Sequence, residues 1–140
     1  MSRTRLPALT PELQVSDLPA SLAFYQKTLG FSLLYERPEE GFAAIALGEA
    51  ALMLEQQHQQ ADDPWTVMPL DRPLGRGINL QISVDDLEPL YQRLMQSGLA
   101  LRLPLEEASY RVGTRVLRVR QFMLQDPDGY LLRFSQPITA

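Results

Sequence analysis

Apolar and polar residues alternate over Leu13-Gln14-Val15-Ser16, which predicts a half-buried strand. Asp17 suits a helix N-cap, and Leu22, Tyr25 and Leu29 then recur at helical spacing, so a helix is expected over about 19–29, closed by Gly30. The same order returns 69 positions later, where Ile82-Ser83-Val84-Asp85-Asp86-Leu87 repeats the apolar-x-Val-x-Asp-Leu pattern of Leu13 to Leu18. A second helix follows over about 87–97, with Leu87, Leu90, Tyr91 and Leu94 inward and Gly98 at its end. Each glycine is followed by another apolar stretch, 31–35 in the first copy and 99–103 in the second. Strands over 41–47 and 51–56, divided by Gly48-Glu49, complete the first half; strands over 115–125 and 130–135, divided by Asp126-Pro127-Asp128-Gly129, complete the second. The expected fold class is α+β, with two βαβββ modules at about 9–56 and 77–136 in a single domain of residues 1–140. Loop 57–76 joins them. It carries Pro64, Pro69 and Pro73, has no periodicity, and is long enough to serve as a lid or ligand wall.

Composition narrows the chemistry. A chain of 140 residues with 45% hydrophobic and 21% charged residues suits one globular domain. No apolar run approaches the roughly 20 residues that span a bilayer, and the first residues lack an export-type apolar stretch, so a soluble, cytoplasmic protein is expected. A net charge of −4 disfavours nucleic acid and anionic membrane as partners and suits a neutral or cationic small ligand. With no cysteine and only His58, which sits in a polar run, thiolate chemistry is excluded and a His-rich metal site or a Ser-His-Asp triad would have to centre on that one residue. No P-loop, dinucleotide fingerprint or nucleophile elbow occurs.

Several short pieces carry a resemblance: Val15-Ser16-Asp17-Leu18, Phe24-Tyr25, Leu29-Gly30-Phe31, Leu52-Met53-Leu54-Glu55, and the run from Phe122 through Asp126-Pro127-Asp128-Gly129 to Tyr130. In this order and spacing, over roughly 9–136, the chain resembles the vicinal-oxygen-chelate superfamily, and within it the bleomycin-resistance and glyoxalase-like branch. The resemblance implies two modules forming curved mixed sheets whose concave faces line a ligand cavity, usually in a homodimer. It leaves function open, since the superfamily holds metal-dependent isomerases, dioxygenases and thiol transferases beside metal-free binding proteins. In its metal enzymes four His, Glu or Gln side chains bind the ion; the matching places here are Thr10, Met53, Asn79 and Arg133. Arginine has no lone pair, methionine is a weak soft donor, and neither threonine nor asparagine is anionic. No catalytic metal and no cofactor are therefore expected.

Strand periodicity marks the residues that would face the cavity. Thr10, Glu12, Gln14 and Ser16 oppose Leu13 and Val15; Met53 and Glu55 oppose Leu52 and Leu54; Asn79, Gln81 and Ser83 oppose Leu80 and Ile82; Leu131, Arg133 and Ser135 oppose Leu132 and Phe134. Taken singly, these polar residues read equally as solvated. Trp65, beside Asp62 and Asp63, reads as a ligand-stacking ring or as a loop anchor, and Phe42, after Glu39-Glu40-Gly41, as a cavity wall or as core. Arg111, Arg115, Arg118 and Arg120 form a basic cluster in the half with net charge +2, against −6 for residues 1–71, and read as a pairing surface for a second copy or as edge protection. The expected ligand set is Glu39, Phe42, Met53, Glu55, Trp65, Asn79, Gln81 and Arg133, with no catalytic residue and no metal ligand. The expected function is metal-independent binding and sequestration of a planar or cationic small molecule. Alternatives are a glyoxalase-like lyase or ring-cleaving dioxygenase, and a metal-free enzyme using Glu12 or Glu55 as a general base.

Overall fold

A computed structural model describes residues 4–58 and 63–138, which form two compact units, Met1–Leu74 and Gly75–Ala140. The first contains β1 (Glu12–Val15), α1 (Leu18–Ala23), β2 (Ser32–Arg37), β3 (Phe42–Leu47) and β4 (Ala50–Gln56). Its sheet runs β1-β4-β3-β2, with β1 parallel to β4 and the other neighbours antiparallel. Asp17 caps α1, its side chain accepting from the Ala20 N–H at 3.1 Å. The expected 19–29 helix starts one residue earlier and widens after Ala23 into a π-helical turn, Phe24–Thr28, where the Leu29 N–H reaches the Phe24 carbonyl at 3.1 Å. That turn seats Tyr25 and Leu29 inside, with Tyr25 edge-on to both Phe24 and Phe31. Leu13, Val15, Ile45, Leu52 and Leu54 complete the buried face, while Leu22 is only half-buried.

The second unit repeats the plan with β5 (Asn79–Ser83), α2 (Glu88–Ser97), β6 (Leu103–Val112), β7 (Arg115–Gln125) and β8 (Leu131–Pro137) in the order β5-β8-β7-β6. Leu87, Leu90 and Leu94 pack inward as the periodicity predicts, and Gly98 ends α2 in the left-handed region at φ 75°. Phe122 stacks on Phe134 at 5.5 Å between ring centres in this core. The Asp126 carboxylate accepts from the backbone N–H groups of Asp128 and Tyr130, both at 2.9 Å, and fixes the β7–β8 turn.

Three local expectations are corrected. The strand expected over 99–103 begins near its end and runs to Val112, because its outer part is held by β7 across the Gly113-Thr114 turn rather than by an apolar face of its own. Asp86 does not cap α2 as Asp17 caps α1; the cap position is Leu87, and the Asp86 side chain accepts from the Glu88 N–H at 3.2 Å. Thr10 precedes β1, and its hydroxyl donates to the Pro7 carbonyl at 2.8 Å.

One feature common to both units escapes the periodicity. At the end of β4 the Gln56 side-chain oxygen accepts from the Leu18 N–H at 2.8 Å while its amide donates to the Ser16 carbonyl at 2.8 Å. In the second unit the Gln136 side-chain oxygen on β8 accepts from the Leu87 N–H, also at 2.8 Å. In each repeat, then, an amide on the last strand satisfies a backbone donor at the start of the helix. No helix among the described residues is long and apolar enough to cross a membrane.

Candidate functional site

Cross-strand register brings the first unit's polar residues together. Gln14, Glu55, Phe42 and Arg37 form one row across β1, β4, β3 and β2, and Glu12, Met53, Ala44 and Tyr35 form the next row on the same face. Glu12, Arg37, Glu40, Phe42, Glu55 and Trp65 line a cavity of about 200 Å³ there. The Arg37 guanidinium lies 4.0 Å from the centre of the Phe42 ring and donates to Glu40 at 2.6 Å, so that cation is already paired. Glu12 and Glu55 face each other. Partial burial, a hydrogen bond to Glu55 and repulsion by its charge push the Glu12 carboxyl above the usual carboxylate range, against a smaller opposing pull from Arg37. His58 Nε2 is 3.5 Å from Glu55. With Glu40 paired to Arg37, Glu12 and Glu55 are the remaining carboxylates of the cavity, and their charge favours a cationic guest.

Of the residues expected here, Phe42, Glu55 and Trp65 line this cavity and Glu39 and Met53 do not. Glu39 is exposed on the short turn Pro38–Glu40, and Glu40, one residue on, bends back to Arg37. Met53 lies half-buried in the row beside Glu12. Phe42 is at once wall and core, being 5% exposed. Trp65 is 78% exposed, which does not fit a ring tucked into a core; its backbone N–H donates to the Asp63 carboxylate at 2.9 Å, and Asp62 lies outside the described residues.

In the second unit Gln81, Arg133, Met123 and Leu103 form one row, and Ser83, Ser135, Gln121 and Glu106 the next. Gln81, Ser83, Tyr110, Arg133 and Ser135 supply the polar lining of a cavity of about 250 Å³, with Leu117, Val119 and Pro137 as its apolar part. Gln121 is buried behind it, its amide donating to Glu106 at 2.9 Å and to the Tyr110 hydroxyl at 2.6 Å. Gln81 and Arg133 are thus brought together, whereas Asn79, exposed at the start of β5, does not line the cavity. Of the basic cluster, Arg118 pairs with Glu107 at 2.9 Å and Arg120 with Glu88 at 3.1 Å, so two of its four charges are used within the unit.

Arg37, Glu40, Tyr110, Leu117, Val119 and Pro137 are the lining residues missed by the sequence reading. Arg37 and Glu40 carry a usable signal, opposite charges three residues apart around Pro38. Tyr110 carries none, since β6 lacks alternation there.

Two mixed four-stranded sheets, each built as βαβββ, define the α+β fold class of the vicinal-oxygen-chelate proteins. The chain belongs to the Glyoxalase/Bleomycin resistance protein/Dioxygenase superfamily, whose family model matches residues 6–134. It is 27% identical to a bleomycin resistance protein of Geobacillus stearothermophilus over 138 residues, covering 93% of this chain and 96% of that one. It is 29% identical to a lactoylglutathione lyase of Haemophilus influenzae over 130 residues, covering 89% and 87% of the two chains. Among solved structures, TioX from Micromonospora sp. ML1 matches with a TM-score of 0.68 at 20% identity, covering 93% of this chain and 98% of that one, a likeness of fold.

The metal site of the superfamily's metal enzymes does not fit the residues present. At the four places the resemblance assigns to the ion, this chain has Thr10, whose hydroxyl is committed to Pro7, Met53, Asn79 and Arg133, which has no lone pair to give. Among the described residues no cluster of three His, Cys, Asp or Glu is arranged to hold an ion.

Proposed function

We propose that this protein binds and sequesters a small planar or cationic molecule without a metal, acting in the cytoplasm as a homodimer. The observation that carries the reading is the cavity of the first unit, where Glu12, Glu40 and Glu55 lie with the Phe42 and Trp65 rings. Planar cations gain from stacking on such rings and from nearby carboxylates. Sequestration requires affinity alone. The similarity to bleomycin resistance proteins supports the same reading. Glu55, Phe42 and Trp65 are the proposed contacts, joined by Glu12 and Glu40, with Met53 and Glu39 at the margin; Gln81, Arg133 and Asn79, also expected at the ligand, belong to the second unit and line no part of this cavity.

A second reading, a metal-free enzyme, draws on the Glu12–Glu55 pair, since a carboxyl that keeps its proton above the usual range suits general acid–base work. The similarity to lactoylglutathione lyases would favour a lyase, and the four metal positions argue against it. Turnover by metal-stripped protein would support the second reading over pure binding.

The test is calorimetric titration with bleomycin and, independently, with ethidium, a planar cation. Either should quench Trp65, and affinity should fall with added salt because charge attraction is screened over about 8–10 Å near physiological ionic strength. Trp65→Ala should cost about 1–3 kcal/mol of binding free energy. Equal affinities for mutant and wild type, with the mutant folded by circular dichroism, would remove the ring from the site.

A further inference from the structure

We infer that the cavity of the second unit is an anion site, shaped for the carboxylate of a small acid with an apolar body, and that Arg133 holds that carboxylate. Arg133 lies on β8, an interior strand whose backbone is committed to β5 on one side and β7 on the other, which fixes the face its side chain occupies. Its Nε is buried with no hydrogen-bond partner among the described residues. The residue as a whole is half-buried, so what the structure leaves unmet is this one N–H donor, which calls for an acceptor. Three acids of this unit are engaged elsewhere: Glu107 with Arg118, Glu88 with Arg120 and Glu106 with Gln121.

The lining fits the missing partner. It contains no acid, and its other polar side chains, Gln81, Ser83, Ser135 and Tyr110, can all donate hydrogen bonds. The Tyr110 hydroxyl accepts from Gln121 and so keeps its own proton to give. One cation among neutral donors matches a monoanion, and a guanidinium fork matches a carboxylate in particular. Leu117 and Val119 supply an apolar wall for the rest of the molecule, in about 250 Å³ of space. All of these residues belong to the second unit and none belongs to the cation cavity proposed above, so either reading can fail alone.

The experiment follows the Arg133 Nε–H signal of the ¹⁵N-labelled full chain, assigned by its loss in Arg133→Lys, during titration at constant ionic strength with benzoate, benzamide and inorganic phosphate. Benzoate should shift the signal saturably, with benzamide and phosphate each at least about ten-fold weaker. Arg133→Gln should weaken benzoate about ten-fold or more, with Arg133→Lys between it and wild type. Should Arg133→Gln fail to fold, the contrast between benzoate and benzamide on wild type still decides. Equal response to acid and amide, or none at millimolar benzoate, overturns the site, and tighter binding of phosphate overturns its assignment to carboxylates. Ethidium quenching of Trp65 on the same sample reports separately on the cation cavity.

Discussion

Glu12 and Glu55 share a face of the first sheet at close quarters, and Glu12 holds its proton above the usual carboxylate range. The folded chain therefore binds a proton that the unfolded chain has released, so the associated stability is full below the ordinary value of 4.5 and is lost as pH rises through the raised folded value. Glu12→Gln removes this penalty. Its melting temperature should exceed that of wild type at pH 7.5, with the gap closing toward pH 4 in scanning calorimetry. An equal difference at both pH values would detach the effect from the carboxyl. The same linkage should make the affinity for ethidium fall as acid reprotonates Glu12, with proton release on binding seen as a buffer-dependent calorimetric enthalpy. Much of this site was legible beforehand, because period-two alternation assigns Glu12 and Glu55 to one face from sequence alone. What alternation does not supply is register. Glu55 stands opposite Phe42, whose other neighbour Arg37 ends β2, and that row depends on how far each strand slides past the next. Glu39 and Glu40 lie in the Pro38–Glu40 turn, where neither alternation nor register says which of the two carboxylates reaches the cavity.

The helices and strands depend on contacts of a longer reach. Gln56 and Gln136 each satisfy the backbone N–H of a residue about 40 to 50 positions earlier, and a polar side chain at a strand end gives no sign of this in sequence. Gln56→Ala should cost about 1 kcal/mol, the scale of losing a helix cap, and lower the melting temperature by about 3–5 °C; Gln136→Ala should do the same. An unchanged melting curve for both would reduce these amides to surface contacts. Gly41 bears on the same residue: it sits at φ 65°, and a Cβ there would come 2.9 Å from the Gln56 Cβ. Gly41→Ala should therefore destabilise more than Gln56→Ala. The elements with one apolar face were legible, which is why β7 falls on the expected 115–125. The outer half of β6 was not, since Glu106, Glu107 and Ser109 give no apolar face and only pairing with β7 keeps it extended. The π-helical turn after Ala23 escaped as well, because Tyr25 and Leu29 suit an inner face under either helical pitch.

At the scale of the whole molecule the repeat was the most legible feature, since its pattern recurs in order and the two sheets share one strand order. How many copies associate is encoded less directly. Each sheet ends in two edge strands, β1 and β2 in one and β5 and β6 in the other, and open edges invite pairing. Light scattering at micromolar concentration should give twice the 15.8 kDa chain mass. A single-chain mass would count against the homodimer. Zn²⁺, Ni²⁺, Fe²⁺ or Mn²⁺ should leave the melting temperature unchanged, because a site containing Arg133 offers little to stabilise. One tightly held metal per chain by elemental analysis would reverse that reading. The strand order also bears on how the chain is made. In its sheet β1 has β4 as its sole neighbour and β5 has β8, so in each half the first strand to leave the ribosome waits for the last. A nascent chain halted before Leu131 would lack one strand and leave a second, Asn79–Ser83, with no ladder to join, so premature termination there removes half of the second sheet at one stroke.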